Sequence, residues 1–179
     1  PQKTKLNEIQ KYVGDIIAQV REMSLNLRPS MLDDAGLLPT LKWHFERFTS
    51  QTGIKVNFKS DELPARFPAE IEITTFRIIQ EALTNVARYA QVGDVFVGLA
   101  LHDNKFWVEV LDKGRGFDAS DFNEKPTTGL GGMRERANLV GGYLAIKSYL
   151  NQGTQILAAL PLTGTPKKKK KNDRNSFAG

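Results

Sequence analysis

The chain of 179 residues contains no cysteine. That excludes disulfides, thiolate zinc sites and cysteine nucleophiles, and it fits a reducing cytoplasm, the expected location. Only two histidines occur, His44 and His102, so histidine chemistry has two candidate carriers. No run of about 18 apolar residues is present, so no membrane span is expected, although a longer parent protein is free to be anchored or soluble. The first residues lack the basic-then-apolar pattern of a signal peptide. Two common nucleotide fingerprints are also missing: neither G-x-G-x-x-G nor G-x-x-x-x-G-K-[ST] occurs.

A charge excess in the body of the chain is missing as well. The formal net charge is +5, yet Lys167 to Lys171 and Arg174, set against Asp173, account for it; the remainder carries 19 residues of each sign. The high pI therefore describes a tail, and a neutral body gives no reason to expect nucleic acid as a partner. Residues 163–179 are polar, without apolar periodicity, and are expected to be a disordered basic tail.

What the sequence does contain begins with a heptad. Leu6, Ile9, Val13, Ile16, Val20, Met23 and Leu27 alternate steps of three and four residues. That narrow a/d seam favours a partner helix, the other reading being a long helix lying on its own domain. Residues 1–29 are thus expected to be part of a dimerisation bundle. Pro29 ends or kinks that helix. The segment LRPSMLDDAGLLPTL reads as a bridge to a second helix over about 38–51, with Leu38, Leu41, Phe45 and Phe48 on one face and Gly53 closing it.

The body, 30–162, continues with a strand over 54–58 and a helix over about 68–89. Strands follow over 94–101 and 106–111, joined at Asp103-Asn104. A loop runs from about 115 to 128, then a short helix over 131–140. A last hairpin comprises strands 143–150 and 154–160. Helices mixed with pairs of adjacent strands predict an α+β fold, a mixed sheet with helices on one face.

Four segments in this frame carry possible chemistry. In QEALTN, Glu81 and Asn85 lie four residues apart and project from one helix face. A carboxamide oxygen suits Mg²⁺, and Arg88, one turn on, is placed to meet a phosphate. In DKGRGFD, Asp112 closes a strand where its carboxylate can accept from an exocyclic amine, and Gly114 and Gly116 permit close backbone approach. In TTGLGGMRER, Gly129, Gly131 and Gly132 precede a helix whose free amides attract phosphate. In NQGT, Gly153 makes a turn and Thr154 offers a hydroxyl. Each segment alone also reads as an ordinary polar helix face, turn or glycine cap. Their order suggests a nucleotide held between a helix, a loop and a sheet edge.

Together the segments resemble the ATP-binding part of sensor histidine kinases, in the nitrate-sensor-like branch. QEALTN is similar to that family's N box, DKGRGFD to its G1 box, GLGGMRER to its G2 box and Gly153-Thr154 to its terminal element. LRPSMLDDAGL is similar to the junction after the dimerisation helices, so the resemblance runs over about 5–162. It implies a Bergerat-type two-layer α/β sandwich preceded by a long heptad-patterned helix. It implies ATP and Mg²⁺ as cofactors, with Asn85 on the metal and Glu81 nearby. Asp112 would bind the adenine amine, helped by Thr154; Gly114 and Gly116 would shape the adenine side; Gly129, Leu130 and Gly131 would offer backbone to phosphates. In the intact protein the γ-phosphoryl would pass to a histidine on a separate helix, and then to the receiver domain of a response regulator, within a homodimer.

The chain departs from that pattern in two places. Tyr89 stands where the branch commonly has histidine, and a phenol can donate a hydrogen bond but cannot become cationic. Neither His44 nor His102 sits in a helix-borne E-x-x-H-D arrangement, so the acceptor is expected upstream of residue 1, and the fragment is expected to bind ATP without autophosphorylating. Two other readings remain at this point: a serine kinase or ATPase on the same fold, and a nucleotide-free dimerisation and docking module.

Overall fold

The computed structural model describes residues 30–117 and 128–162. The heptad helix, most of the loop after Arg115 and the basic tail lie outside the described residues.

Among the described residues the chain forms ten elements. Helix α1 (Ser30–Ala35) leads into α2 (Leu37–Thr52), β1 (Lys55–Ser60) and α3 (Ala69–Asn85). A π-helical turn (Val86–Ala90) extends α3, and β2 (Asp94–His102) and β3 (Lys105–Asp112) follow. Helix α4 (Thr128–Leu139), β4 (Tyr143–Tyr149) and β5 (Gly153–Pro161) complete the body.

The bridge segment is more structured than its sequence suggested. Ser30–Ala35 forms a short helix with Asp33 in its first turn, a favourable place for negative charge. Gly36 then turns the chain at φ 83°, and α2 starts immediately with Leu37, Leu41, Phe45 and Phe48 buried along one face. Gly53 ends α2 in the left-handed conformation, its amide bonded to the Thr49 carbonyl, as the glycine at that position predicted.

The connection before α3 is also anchored. Glu72 is buried (1 % exposed) and accepts from Arg66 Nε at 3.2 Å, Arg66 Nη2 at 3.1 Å and the Phe67 amide at 3.0 Å. Arg66 Nη1 donates to the Asp33 carbonyl at 3.0 Å. One guanidinium therefore neutralises a buried carboxylate and satisfies a carbonyl at the end of α1.

The sheet runs β1-β2-β3-β5-β4. Strand β1 is parallel to β2, across the α3 crossover, and every other pairing is antiparallel. Asp103 and Asn104, at φ 52° and 55°, make the two-residue turn between β2 and β3. Both central residues at positive φ match the twist of a tight hairpin.

Register sets the core. Val97, Val110, Ile156 and Ile146 lie directly opposite one another across four strands, as do Leu99, Val108, Ala158 and Leu144. These rows share one face of the sheet, and the apolar sides of α2, α3 and α4 cover it. The architecture is a two-layer α+β sandwich, as expected. No helix among the described residues is long and apolar enough to cross a membrane.

Candidate functional site

The apolar rows end in a polar one. Asp112 on β3 faces Thr154 on β5, and Thr154 faces Ser148 on β4. Residue parity puts all three on the helix-covered face, at the end of the sheet nearest the π-helical turn. Asp112 is 5 % exposed and Ser148 2 %, so each needs internal partners.

Asp112 finds them in backbone. The Gly114 amide donates to Oδ1 at 2.9 Å, and the Thr154 amide also bonds to the carboxylate. Burial pushes the carboxyl above its ordinary value, while these two amides pull the other way and leave a net rise. Its neighbour Ser148 Oγ accepts from the Phe117 amide at 2.9 Å and donates to the Gly153 carbonyl at 3.0 Å. The Thr154 hydroxyl lies 3.0 Å from the same oxygen. The hydroxyl expected to brace Asp112 is thus tied to Ser148, and it is the Thr154 backbone that touches the carboxylate.

The long helix meets this strand end through its π-helical turn. The Val86 amide is shared between the Ala82 and Leu83 carbonyls where the regular helix gives way, and Gln91 leaves the turn at φ 58°. The Arg115 amide then donates to the Ala90 carbonyl at 2.9 Å. A Cβ at Gly114 would overlap that same carbonyl, and one at Gly116 would overlap the Tyr149 carbonyl. Both glycines therefore let protein backbone pack on protein backbone around Asp112.

Asn85 is the last regular residue of α3. Its Nδ2 is buried and has no hydrogen-bond partner. An unmet carboxamide is costly unless something completes it. One turn earlier, Glu81 reaches the start of α4, where a Cβ on Gly129 would overlap its carboxylate. The glycine-rich stretch does not precede α4 as expected, because the helix already starts at Thr128. Gly129, Leu130 and Gly131 form its first turn, whose amides still lack intrahelical acceptors. A Cβ at Gly131 would meet nothing within 4 Å, so this part of the turn is open.

These contacts, with α4 also packed on β5, close a ring of elements. Glu81 joins α3 to α4, Ala90 joins α3 to the β3 end, and Asp112 joins β3 to β5. Arg88 stands outside it: it is exposed and makes no hydrogen bond or ion pair with the described residues. Tyr89, 64 % exposed, also points away from the buried groups. A concavity of about 390 Å³ beside the ring is lined by Ala90, Gln91, Lys113, Gly114, Arg115 and Asn151. It contains neither Asn85 nor Asp112.

Sequence reasoning missed Ser148, the π-helical turn and this concavity. Ser148 had a signal: it continues the core-facing parity of Leu144 and Ile146. The π turn had none, since Val-Ala-Arg-Tyr-Ala is ordinary helix composition.

The groups present suit a nucleotide: the unmet Asn85 Nδ2 is a donor that an acceptor such as a phosphate oxygen would complete. A buried acceptor at a strand end, an unsatisfied carboxamide beside a carboxylate, and open first-turn amides lie around one ring. Among the described residues no cluster of three His, Asp or Glu could hold a metal unaided, so a metal here would take ligands from its companion as well.

Comparison with known proteins agrees with this arrangement. Residues 70–164 match the family model described as histidine kinase-, DNA gyrase B-, and HSP90-like ATPase. The signal transduction histidine-protein kinase/phosphatase DegS of Brevibacillus brevis is 40 % identical over 89 % of the chain and 41 % of its own length. The oxygen sensor histidine kinase NreB of Staphylococcus carnosus is 41 % identical over 87 % of the chain and 45 % of its own length. The chain thus spans less than half of these curated relatives. Two solved structures share the fold. The histidine kinase domain of the Erythrobacter litoralis EL346 blue-light activated kinase has a TM-score of 0.60 at 23 % identity, covering 73 % of this chain and 68 % of that one. Acinetobacter baumannii AdeS has a TM-score of 0.58 at 14 % identity, covering 86 % and 84 %. By the family match and by its identity to two sensor histidine kinases, the chain belongs to the histidine kinase-type ATPase family, which implies that it binds ATP.

Proposed function

We propose that this domain binds ATP with Mg²⁺ and that, in the intact protein, it presents the γ-phosphoryl to a histidine on a separate helix, for relay to a response regulator. The packing of the elements that carry Asn85, Glu81, Gly129 and Asp112 against one another is the observation that carries the reading.

Each residue has a part in it. The Asp112 carboxylate, held in place by two amides, accepts from the adenine amine. The first turn of α4, at Gly129, Leu130 and Gly131, offers amides to the phosphates. Asn85 supplies a carboxamide oxygen to Mg²⁺, and Glu81 lies near enough to orient water around it; the metal supplies charge neutralisation. Lacking a bond to the other groups, Arg88 is left to a phosphate that comes to the surface. The protein's contribution is position and charge, with no covalent intermediate on this domain. The heptad over 6–27 supports a homodimer in the intact protein, and the absence of cysteine supports a cytoplasmic site for the domain.

Calorimetric titration with ATP, with and without Mg²⁺, tests the assignment. Wild type should bind more tightly with Mg²⁺. Asn85→Ala should lose that gain and keep metal-free binding. Equal Mg²⁺ dependence in both proteins would remove Asn85 from the metal site.

A further inference from the structure

We propose that Ser148 is a positioning residue that makes the site select adenine over guanine, acting through Thr154. The inference rests on the ATP reading above.

A serine hydroxyl has one proton to give and two lone pairs to receive. Ser148 is almost wholly buried, so water does not alter its bonding. Its proton goes to the Gly153 carbonyl, 3.0 Å away. One lone pair receives the Phe117 amide at 2.9 Å. The remaining neighbour is Thr154 Oγ1 at 3.0 Å. With the Ser148 proton already placed, the Thr154 hydroxyl must be the donor in that contact. Its proton therefore points to Ser148, and only its lone pairs are available elsewhere.

Thr154 is also the cross-strand partner of Asp112. The end of the sheet thus presents two acceptors side by side, a carboxylate and a hydroxyl whose proton is committed. Adenine carries an amine donor at the position where guanine carries a carbonyl oxygen. Two acceptors welcome the first and repel the second. Ser148 touches neither base in this account, and its effect is to fix which way the Thr154 hydroxyl points.

The test measures dissociation constants for Mg-ATP and Mg-GTP in wild type, Ser148→Ala, Ser148→Thr, Thr154→Val and the Ser148→Ala/Thr154→Val pair. In Ser148→Ala the Thr154 proton is released and can turn toward a guanine oxygen. The ratio of GTP to ATP dissociation constants should then fall about fivefold, the worth of one hydrogen bond. Ser148→Thr keeps a hydroxyl in place and should keep the wild-type ratio. Once Thr154 is valine, removing the Ser148 hydroxyl should change the ratio no further. A purely structural role would lower stability and both affinities without this dependence on Thr154. An unchanged ratio in folded Ser148→Ala overturns the inference, and so does a fall of equal size in the valine background. Should Ser148→Ala fail to fold, an unchanged ratio in Thr154→Val overturns it. A wild type that binds neither nucleotide overturns the ATP reading itself, whereas one that prefers ATP leaves that reading standing whatever Ser148 does.

Discussion

Asp112 and His44 are both buried titratable groups, and burial moves them in opposite directions. The Asp112 carboxyl lies above its ordinary 3.8. As an acceptor it must be ionised, so ATP binding should weaken as pH falls through that raised value, at a higher pH than an exposed aspartate would show. Titrations of ATP affinity stepped downward from pH 7, set beside an exposed aspartate as reference, would reveal the loss. His44 is lowered from 6.5 to about 4, first by burial and then by Arg47. Its Nε2 has no partner, and its ring packs on Phe45 and Phe76. The unfolded chain takes up this proton below about pH 6.5, while the folded one resists until about 4. Stability should therefore fall as pH drops through that window, by roughly 2–3 kcal/mol at its end. His44→Leu should flatten this dependence in urea denaturation at pH 7 and pH 4.5. At this scale the sequence was only partly legible. Asp112 stood out by its place at a strand end before two glycines. Of the two amides that hold it, Gly114's is local, whereas Thr154's depends on a pairing between residues 42 positions apart, which no local pattern encodes.

Elements were legible where periodicity is strong. Strands β2 and β3 alternate clearly, and Leu41, Phe45 and Phe48 marked the buried side of α2. Boundaries were less so. Helix α4 starts at Thr128, earlier than expected, because the glycines that looked like a loop occupy a first turn in which Gly129 yields space to Glu81. Helix α1 was hidden in a segment too short to show a period. Asp33 in its first turn and the Gly36 stop were the available cues. The junction of α3 with β3 invites a direct test. Gly114→Ala places a methyl group against the Ala90 carbonyl, a backbone atom that cannot turn aside. The variant should lose about 1–3 kcal/mol in chemical denaturation. It should also bind ATP more weakly, since the same turn holds Asp112.

Across the whole molecule, the sheet places its two ends in different roles. His102 pairs with Lys105 at the far end of β3 from Asp112, and seven residues of strand separate them by roughly 23 Å. His44 is packed among aromatic rings. Neither is set to receive a phosphoryl group from this site. Incubation of the chain with labelled ATP should therefore leave both unlabelled, and mass spectrometry of the intact chain would detect any addition. The α+β class and the nucleotide reading were legible because four short segments fell in order along the chain. The ring that unites them was not, since it is made by contacts between α3, α4 and two strand ends that are remote in sequence. Asp112 as the adenine acceptor is the residue role on which nucleotide binding here most depends. Calorimetry with Mg-ATP on wild type and Asp112→Ala, with thermal melts to show that both fold, measures this most directly. Loss of a hydrogen bond to a charged group should weaken binding by roughly 10- to 100-fold; equal affinity in a folded Asp112→Ala protein would contradict the account.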